Sequence, residues 1–255
     1  MTGSIFLRGQ TMTLFKSVLI TITLFYVLIP STGGISKEKI SVLGKERNYY
    51  LFVPPSLATE KPIGLLILLH GSGRNGLSLV EKWKEIASKE NLILIGPDAQ
   101  NSREWNIPDD GPEFLYKITE KVKRDFSIDE KRVYLFGHSA GALFALEIGL
   151  LESEYFASIY VHAGSLPSDS LTSRAKRKIP IGLIVGDKDR FFSVEQVTKT
   201  KDFLKEQGFP VEMIILKNHD HDYYNLSPKI NQSAWEFLSK QSLPSPPQYK
   251  EYKFN

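Results

Sequence analysis

Residues 137–141, with the sequence Gly-His-Ser-Ala-Gly, follow a short apolar run and precede a segment of small and apolar residues. A serine between two glycines in such a strand–turn–helix context is typical of a nucleophile elbow, where the turn is too tight for a side chain at either glycine. The turn would raise Ser139 above the edge of a sheet, beside the free amides of a helix start. The motif therefore predicts that Ser139 attacks a carbonyl carbon.

A second glycine-rich turn, residues 70–73, directly follows the apolar run at 65–69. Such a turn can direct a backbone amide at the negative oxygen that forms when a serine attacks a carbonyl. We assign the amides of Ser72 and Ala140 to this oxyanion hole, and we expect the His70 and His138 side chains to be structural. The alternative is an ordinary turn at the end of a strand.

A serine nucleophile needs an imidazole to take its proton and a carboxylate to fix the tautomer of that imidazole. Behind an elbow of this type, the acid and the histidine follow the serine in that order, each after a later strand. Asp187 and Asp189 follow one candidate strand, and His219 and His221 follow the next. The residues alone leave both choices open.

The stretch at 219–222, His-Asp-His-Asp, has a rival interpretation as a metal site, because imidazole and carboxylate are both ligands. We expect no metal and no cofactor, since no further ligand cluster with zinc-site spacing occurs in the sequence. His162 ends another candidate strand and is expected to be a satisfied rim or core histidine. The chemistry is therefore expected to depend on protein groups alone.

Short apolar runs alternate with amphipathic segments from Arg47 onward, which is typical of strand–helix–strand units and a mainly parallel sheet. The candidate strands are residues 47–53, 65–69, 92–95, 133–136, 158–161, 181–185 and 211–216. Apolar residues also recur at helical spacing around Val80, Val122 and Ala234. Because the connecting segments are short, we expect one α/β catalytic domain, residues 34–240, with helices on both faces and no separate lid domain.

The composition is that of an ordinary globular protein, with 42% hydrophobic and 24% charged residues in a chain of 255. A formal net charge of +3 is too small for a nucleic-acid binding surface, so no nucleic-acid partner is expected. The absence of cysteine excludes a disulfide framework, a thiolate nucleophile and a cysteine-bound zinc.

The two ends of the chain differ from its middle. Residues 1–33 contain two basic and no acidic residues, and their apolar run at 17–29 fits an export signal but is short for the roughly 20 residues that span a bilayer. We expect a signal peptide and export to the periplasm or the medium. The alternative is an uncleaved anchor, which would be the chain's membrane contact. The proline-rich residues 241–255 are expected to form a tail or an extended strap.

These motifs together resemble the α/β-hydrolase fold, and within it the small lidless secreted esterases grouped with poly(3-hydroxybutyrate) depolymerases and feruloyl or acetylxylan esterases. The likeness rests on the Tyr- and Pro-containing strand at 47–54, the Pro-Asp-Ala segment at 97–99 with Trp105, and the Asp-x-x-Arg-Val-Tyr sequence at 129–134. The chain departs from the group by having Ser72 where many depolymerases have cysteine, and by lacking the cysteines of fungal feruloyl esterases.

The resemblance implies a choice between the candidate acids and histidines. The Gly-x-x-Asp pattern of the family falls on Gly186 and Asp189, and a histidine followed by an aromatic residue before a final helix favours His221. The implied activity is hydrolysis of carboxylic esters, in which Ser139 forms an acyl-enzyme, His221 transfers the proton and Asp189 orients the imidazole. A peptidase or thioesterase of the same fold, or a catalytically silent binding protein, is the alternative.

The expected partner is a small-molecule or oligosaccharide ester. Arg74, Trp105 and Tyr223 follow the carboxyl ends of candidate strands, where sheets of this kind bind ligands. We therefore expect these three side chains to line the substrate pocket.

Overall fold

The computed structural model describes Met1 and residues 33–55 and 61–251. The predicted signal peptide thus lies outside the described residues, apart from its two end residues, and stays a prediction. Among the residues that are described, no helix is both long enough and apolar enough to cross a bilayer.

In the described part of the chain, eight strands form one sheet in the order β1-β2-β4-β3-β5-β6-β7-β8. The strands are β1 (Ile35–Val42), β2 (Lys45–Phe52), β3 (Ile63–Leu69), β4 (Leu92–Pro97), β5 (Ile128–His138), β6 (Ser158–His162), β7 (Ile181–Gly186) and β8 (Val211–Leu216). β2 is antiparallel to both β1 and β4, and every other neighbouring pair is parallel. The predicted mainly parallel sheet is confirmed.

Helices cover both faces of the sheet, as predicted. They are α1 (Gly76–Glu90), α2 (Pro112–Asp125), α3 (Ala140–Leu151), the short α4 (Leu171–Arg174), α5 (Val194–Glu206) and α6 (Tyr223–Leu238). Alternate residues of β3 enter two separate apolar clusters, Leu65 and Ile67 on one face and Leu66 and Leu68 on the other. The first cluster contains residues of α2, α3 and α5, and the second contains residues of α1 and α6.

The loop at 98–111, between β4 and α2, is held by a buried ion pair. Arg47 Nη2 lies 2.5 Å from Asp110 Oδ1, and both side chains are almost fully buried. The Asp110 carboxylate also accepts hydrogen bonds from two amides of this loop, at 2.7 and 2.9 Å. Because the Asp110 carboxylate has a hydrogen-bond partner for each oxygen, it fixes the conformation of this loop. The loop carries Trp105 and lies next to the edge of the sheet that holds the candidate site.

The described part of the proline-rich tail, residues 241–251, lies along the body of the domain as a strap. The Leu243 side chain is buried, and its amide donates a hydrogen bond to the Lys131 carbonyl oxygen at 2.9 Å. Farther along, the Tyr249 ring stacks on Tyr116 with 3.8 Å between ring centroids. These contacts hold the strap against the domain.

Candidate active site

Ser139 occupies a strained turn between β5 and α3, with a positive φ of 55° and a ψ of −120°. A side chain at Gly137 would collide with the carbonyl oxygen of Gly141, and one at Gly141 would collide with that of Leu69. The Ser139 amide is tied to the His162 carbonyl oxygen at 3.0 Å. Close packing against the neighbouring strands therefore enforces the turn predicted from the two glycines.

The structure brings Ser139, His221 and Asp189 into one line of hydrogen bonds. His221 Nε2 lies 2.9 Å from Ser139 Oγ, and His221 Nδ1 lies 2.8 Å from Asp189 Oδ2. Because an ionised carboxylate only accepts hydrogen bonds, Nδ1 donates, and Nε2 is left free to accept the serine proton. The His221 side chain is 23% exposed, whereas that of Asp189 is fully buried.

The Asp189 carboxylate is kept ionised by the donors around it. Burial by itself raises the pKa of this carboxyl, but hydrogen bonds from His221 and from the amides of Phe192 and Phe191 lower it, and the net shift is downward. The two amides donate to Oδ1 at 2.9 and 2.8 Å, while His221 uses Oδ2. Both carboxylate oxygens are therefore saturated, which fixes the direction in which the carboxylate faces the imidazole.

The alternative acid and the alternative histidine lie elsewhere. Asp187 is exposed, and its carboxylate faces Lys217 at 3.8 Å. The ring of His219 is buried, with Nε2 at 3.2 Å from His162 Nε2. The hydrogen bonds thus connect Ser139 to His221 and Asp189, the histidine and the acid that the resemblance favoured.

Two amides beside Ser139 have no acceptor among the described groups, the Ser72 amide after β3 and the Ala140 amide at the first turn of α3. The turn that carries Ser72 lies close to the elbow: a Cβ atom added at Gly71 would lie 3.4 Å from the Cβ atom of Ser139. Free amides at a helix start attract negative charge. The assignment of Ser72 and Ala140 as the two oxyanion donors stays a prediction.

Trp105, one of the predicted lining residues, supports the turn at 70–73 and is not among the residues that line the pocket. Its Nε1 donates a 2.8 Å hydrogen bond to the His70 carbonyl oxygen, and its ring stacks on Phe144. His70 Nε2 accepts from the Ala99 amide at 3.1 Å, so Nδ1 is the nitrogen that donates to the Gly71 carbonyl oxygen. Burial lowers the pKa of His70, which agrees with this neutral tautomer. His70 is structural, as expected.

Three more histidines, His138, His162 and His219, form what we name the histidine chain. The Nδ1 atoms of His138 and His162 lie 2.9 Å apart, and the Nε2 atoms of His162 and His219 lie 3.2 Å apart. Burial is the main cause that lowers the pKa of His138 to about 3 and that of His162 well below its ordinary value, and neighbouring histidines act in the same direction. In residues 33–55 and 61–251, no three histidine, aspartate or glutamate side chains group as metal ligands.

A pocket of about 970 Å³ adjoins Ser139 and His221. Residues of the turn after β3, the loop after β7 and the first turn of α6 line it, among them Ser72, Arg74, Lys188, Arg190, Phe191 and Tyr224. The Phe191 ring is 74% exposed and lies 4.7 Å from the His221 ring, so it offers an apolar surface beside the reacting groups. The pocket therefore combines an apolar wall with charged side chains.

The structure places only Arg74 of the three predicted lining residues in the pocket wall. Tyr223 is completely buried, and its hydroxyl donates a 2.6 Å hydrogen bond to Asn231, so the prediction that it binds substrate is wrong. The next residue, Tyr224, is the one that lines the pocket. Lys188 and Arg190, which sequence reasoning missed, flank Asp189 in the chain, and that adjacency is the signal that would have found them.

The parallel core of the sheet and the serine elbow between β5 and α3 define the protein as an α/β-hydrolase. Residues 92–242 match the family model described as phospholipase/carboxylesterase. This match covers more than half of the chain, and the chain belongs to that family.

Curated relatives with esterase names share part of the chain. A bifunctional acetylxylan esterase/xylanase of Neocallimastix patriciarum is 28% identical over 166 residues, covering 64% of this chain and 24% of that protein. A probable feruloyl esterase C of Aspergillus oryzae is 26% identical over 164 residues, covering 60% of this chain and 61% of that protein. The chain thus spans less than two thirds of the length of these relatives.

Solved structures agree on the fold. A thermostable esterase superposes with a TM-score of 0.67 at 23% identity, covering 82% of this chain and 63% of the other. A ferulic acid esterase superposes with a TM-score of 0.67 at 17% identity, covering 81% of this chain and 98% of the other. At these identities the likeness concerns the arrangement of the strands and helices.

Proposed function

We propose that the protein is a serine esterase that cleaves carboxylic esters through an acyl-enzyme. The observation that carries this proposal is the line of hydrogen bonds from Ser139 through His221 to Asp189, with distances of 2.9 and 2.8 Å. A serine hydroxyl is a weak nucleophile and needs a base that removes its proton as the new bond forms. Membership of the phospholipase/carboxylesterase family and the names of the relatives support an ester as the substrate.

In the first step, Ser139 Oγ attacks the carbonyl carbon of the ester, and His221 Nε2 takes the serine proton. The carbonyl oxygen becomes negative and accepts hydrogen bonds from the amides of Ser72 and Ala140, each worth about 3 kcal/mol in the transition state. The bond from the carbonyl carbon to the alcohol oxygen then breaks. The imidazolium returns its proton to the departing alcohol, so that the acyl group remains on Ser139.

In the second step, water repeats the attack on the acyl-enzyme. His221 takes one proton from the water, the bond between the acyl carbon and Ser139 Oγ breaks, and the proton passes to the serine oxygen. One water is consumed, and one acid and one alcohol are released. In both steps the buried Asp189 carboxylate stabilises the imidazolium and keeps Nδ1 protonated.

A panel of substrates tests the proposal. 4-Nitrophenyl esters, acetylated sugars and feruloyl esters are compared with peptides and thioesters of similar size, with wild-type protein and Ser139→Ala. We expect at least one oxygen ester to be hydrolysed best, and the activity to fall by about 10⁶-fold in Ser139→Ala.

Ser72→Ala is the matched control, because Ser72 is proposed to act through its backbone amide, which alanine retains. Its activity should stay within about threefold of the wild type. A peptide or thioester that is cleaved with a higher kcat/KM than every oxygen ester would refute the esterase proposal.

We also propose export of the protein, supported by the apolar run at 17–29 behind two basic residues. The full chain, expressed in a bacterial host, should be recovered outside the cytoplasm with its amino terminus shortened to near residues 31–34. Recovery of the intact chain in the membrane fraction would indicate an anchor instead.

A further inference from the structure

Positively charged side chains are concentrated in the pocket beside Ser139. Arg74, Lys188 and Arg190 all line it. The chain as a whole is almost neutral, with 32 basic and 29 acidic residues, so this clustering is a local feature and does not follow from the composition. Arg74 comes from the turn after β3, and the other two come from the loop after β7.

The two acidic side chains in the pocket wall, Asp220 and Asp222, are engaged by their own loop. Asp222 caps α6, where one oxygen accepts from the Tyr224 amide at 2.9 Å and the other accepts from the Asn225 side chain. Asp220 accepts from the Asp222 amide at 2.9 Å. In the part of the chain that the structure describes, neither carboxylate forms an ion pair with a pocket cation. The positive charge of the pocket is therefore not neutralised by direct pairing.

Stacking restricts the Arg74 side chain before a ligand arrives. Its guanidinium carbon lies 4.6 Å from the centroid of the Tyr224 ring. The Tyr224 hydroxyl lies 3.1 Å from Ser78 Oγ, which anchors the ring in turn. A guanidinium stacked on an aromatic face keeps its N–H donors available around the edge of its own plane. Arg74 thus presents a partly ordered fork of donors to the pocket.

The carboxylate that supports His221 also shapes the loop that carries Arg190. Asp189 accepts hydrogen bonds from the amides of Phe191 and Phe192, which folds the chain into a tight turn immediately after Arg190. The side chains of Lys188 and Arg190 are exposed and form no ion pair or hydrogen bond with another described residue. The backbone of this loop therefore places the two cationic residues in the pocket wall beside the reacting serine, with their side-chain donors free for a ligand.

We propose that the natural ester carries an anionic group, a carboxylate, phosphate or sulfate, which is bound by Arg74 and Arg190 with Lys188 nearby. This inference rests on the proposed esterase function and names the class of its substrate. A planar guanidinium matches such oxyanions with two parallel hydrogen bonds. Hydrolysis consumes one water at the ester bond, and the anionic group remains unchanged on one of the two products.

Two pairs of matched substrates test for this group and locate it. On the acyl side, 4-nitrophenyl hexanoate is compared with the 4-nitrophenyl monoester of adipic acid, which has the same chain length and a terminal carboxylate. On the alcohol side, the acetyl ester of methyl 4-hydroxybenzoate is compared with the acetyl ester of 4-hydroxybenzoate. The measured quantity is the ratio of kcat/KM, anionic over neutral, after subtraction of the uncatalysed rate.

We expect the anionic ester of at least one pair to be favoured by about tenfold, as charge-assisted hydrogen bonds to a guanidinium imply. Arg74→Gln and Arg190→Gln should each lower this ratio severalfold, and the double variant should bring it close to one. Lys229→Gln is the control, since Lys229 is exposed on α6 outside the pocket wall, and it should leave the ratio unchanged. Added salt should lower the wild-type ratio.

A ratio near one for both pairs in the wild type would overturn the proposal. A preference for the anion that survives in the Arg74→Gln/Arg190→Gln double variant would overturn it as well. If none of the four esters is hydrolysed and Ser139 is not labelled by a fluorophosphonate, the esterase function itself is wrong, and the inference fails with it.

Discussion

Two groups of histidines lie side by side at the carboxyl edge of the sheet, and they differ in what their rings contact. His221 is partly exposed and directs Nδ1 at the buried carboxylate of Asp189. The histidine chain, His138, His162 and His219, is buried, and in the described part of the molecule its rings hydrogen-bond to one another and to no carboxylate.

This difference shows that closeness to the serine does not by itself make a histidine a base. His138 precedes Ser139 in the chain, and its ring lies 5.1 Å from that of His221, but burial lowers its pKa to about 3. A charge on a buried ring without an anionic partner is costly, whereas a charge on His221 forms beside a carboxylate. The position of Asp189 therefore selects which histidine can accept and return a proton.

Replacing one histidine of each group by glutamine should give the largest difference in activity. His221→Gln removes the proposed base, so kcat/KM for a 4-nitrophenyl ester should fall by about 10⁶-fold. His219→Gln removes one end of the histidine chain and should cost less than about tenfold, with both variants shown to be folded by circular dichroism. Equal losses would mean that the histidine chain takes part in proton transfer.

Removing the charge of Asp189 should have the next largest effect. Asp189→Asn offers an amide that no longer fixes the imidazole tautomer or stabilises the imidazolium, and kcat should fall by about 10⁴-fold. Asp187→Asn is the matched control, because Asp187 is exposed in the same loop, and its kcat should change by less than about twofold. A larger loss of kcat in Asp187→Asn than in Asp189→Asn would show that Asp187, and not Asp189, is the catalytic acid.

The histidine chain should make the fold sensitive to acid. The folded state keeps His138 and His162 neutral, whereas the unfolded chain binds a proton near pH 6.5, so the free energy of unfolding is fully retained above that pH and decreases as the pH falls towards the folded values. Between pH 7 and pH 5, His138, with its folded pKa of about 3, removes about 2 kcal/mol, and His162 acts in the same direction.

Urea unfolding at both pH values measures this loss. His162→Gln should be less stable than the wild type at pH 7, but its free energy of unfolding should fall by less than that of the wild type on going to pH 5. If the free energy of unfolding falls between pH 7 and pH 5 by the same amount in His162→Gln as in the wild type, His162 is not held neutral in the folded protein.

Tyr223→Phe should have the smallest effect, and it separates stability from activity. The variant removes the hydroxyl that donates to Asn231 at 2.6 Å, so unfolding should become easier by about 1–2 kcal/mol in urea titrations. Because the side chain is fully buried outside the pocket wall, kcat/KM should stay within about twofold. An altered substrate preference would restore Tyr223 as a binding residue.

The strands were predictable where both of their faces are covered. The continuous apolar runs of β3, β4 and β7 are buried at every position, and their predicted bounds agree with the structure within two residues. β8 is predicted as well, although its middle residues are partly exposed, and β5 begins at Ile128, five residues before the predicted run. β1 is missed because lysine and glutamate interrupt its apolar residues at the edge of the sheet. α5 is missed because its buried stripe, Val197, Thr200 and Leu204, includes a polar residue and offers few apolar positions.

The meeting of Ser139, Asp189 and His221 could be predicted, because each follows a parallel strand and these strands end at one edge of the sheet. The wall of the pocket could not be predicted in the same way. Tyr223 and Tyr224 are consecutive in the first turn of α6, where successive side chains point about 100° apart, so their exposure depends on how the helix packs. That packing is a property of the whole fold.

Covalent capture by a fluorophosphonate tests the proposed nucleophile most directly. The activated oxygen attacks phosphorus and fluoride leaves, so a phosphonyl group stays on the residue, where peptide mapping by mass spectrometry locates it. We predict one adduct, on Ser139, which Ser139→Ala abolishes, His221→Gln strongly slows and Ser72→Ala leaves intact. A wild-type protein that remains unlabelled, or an adduct on another residue that persists in Ser139→Ala, would contradict the account.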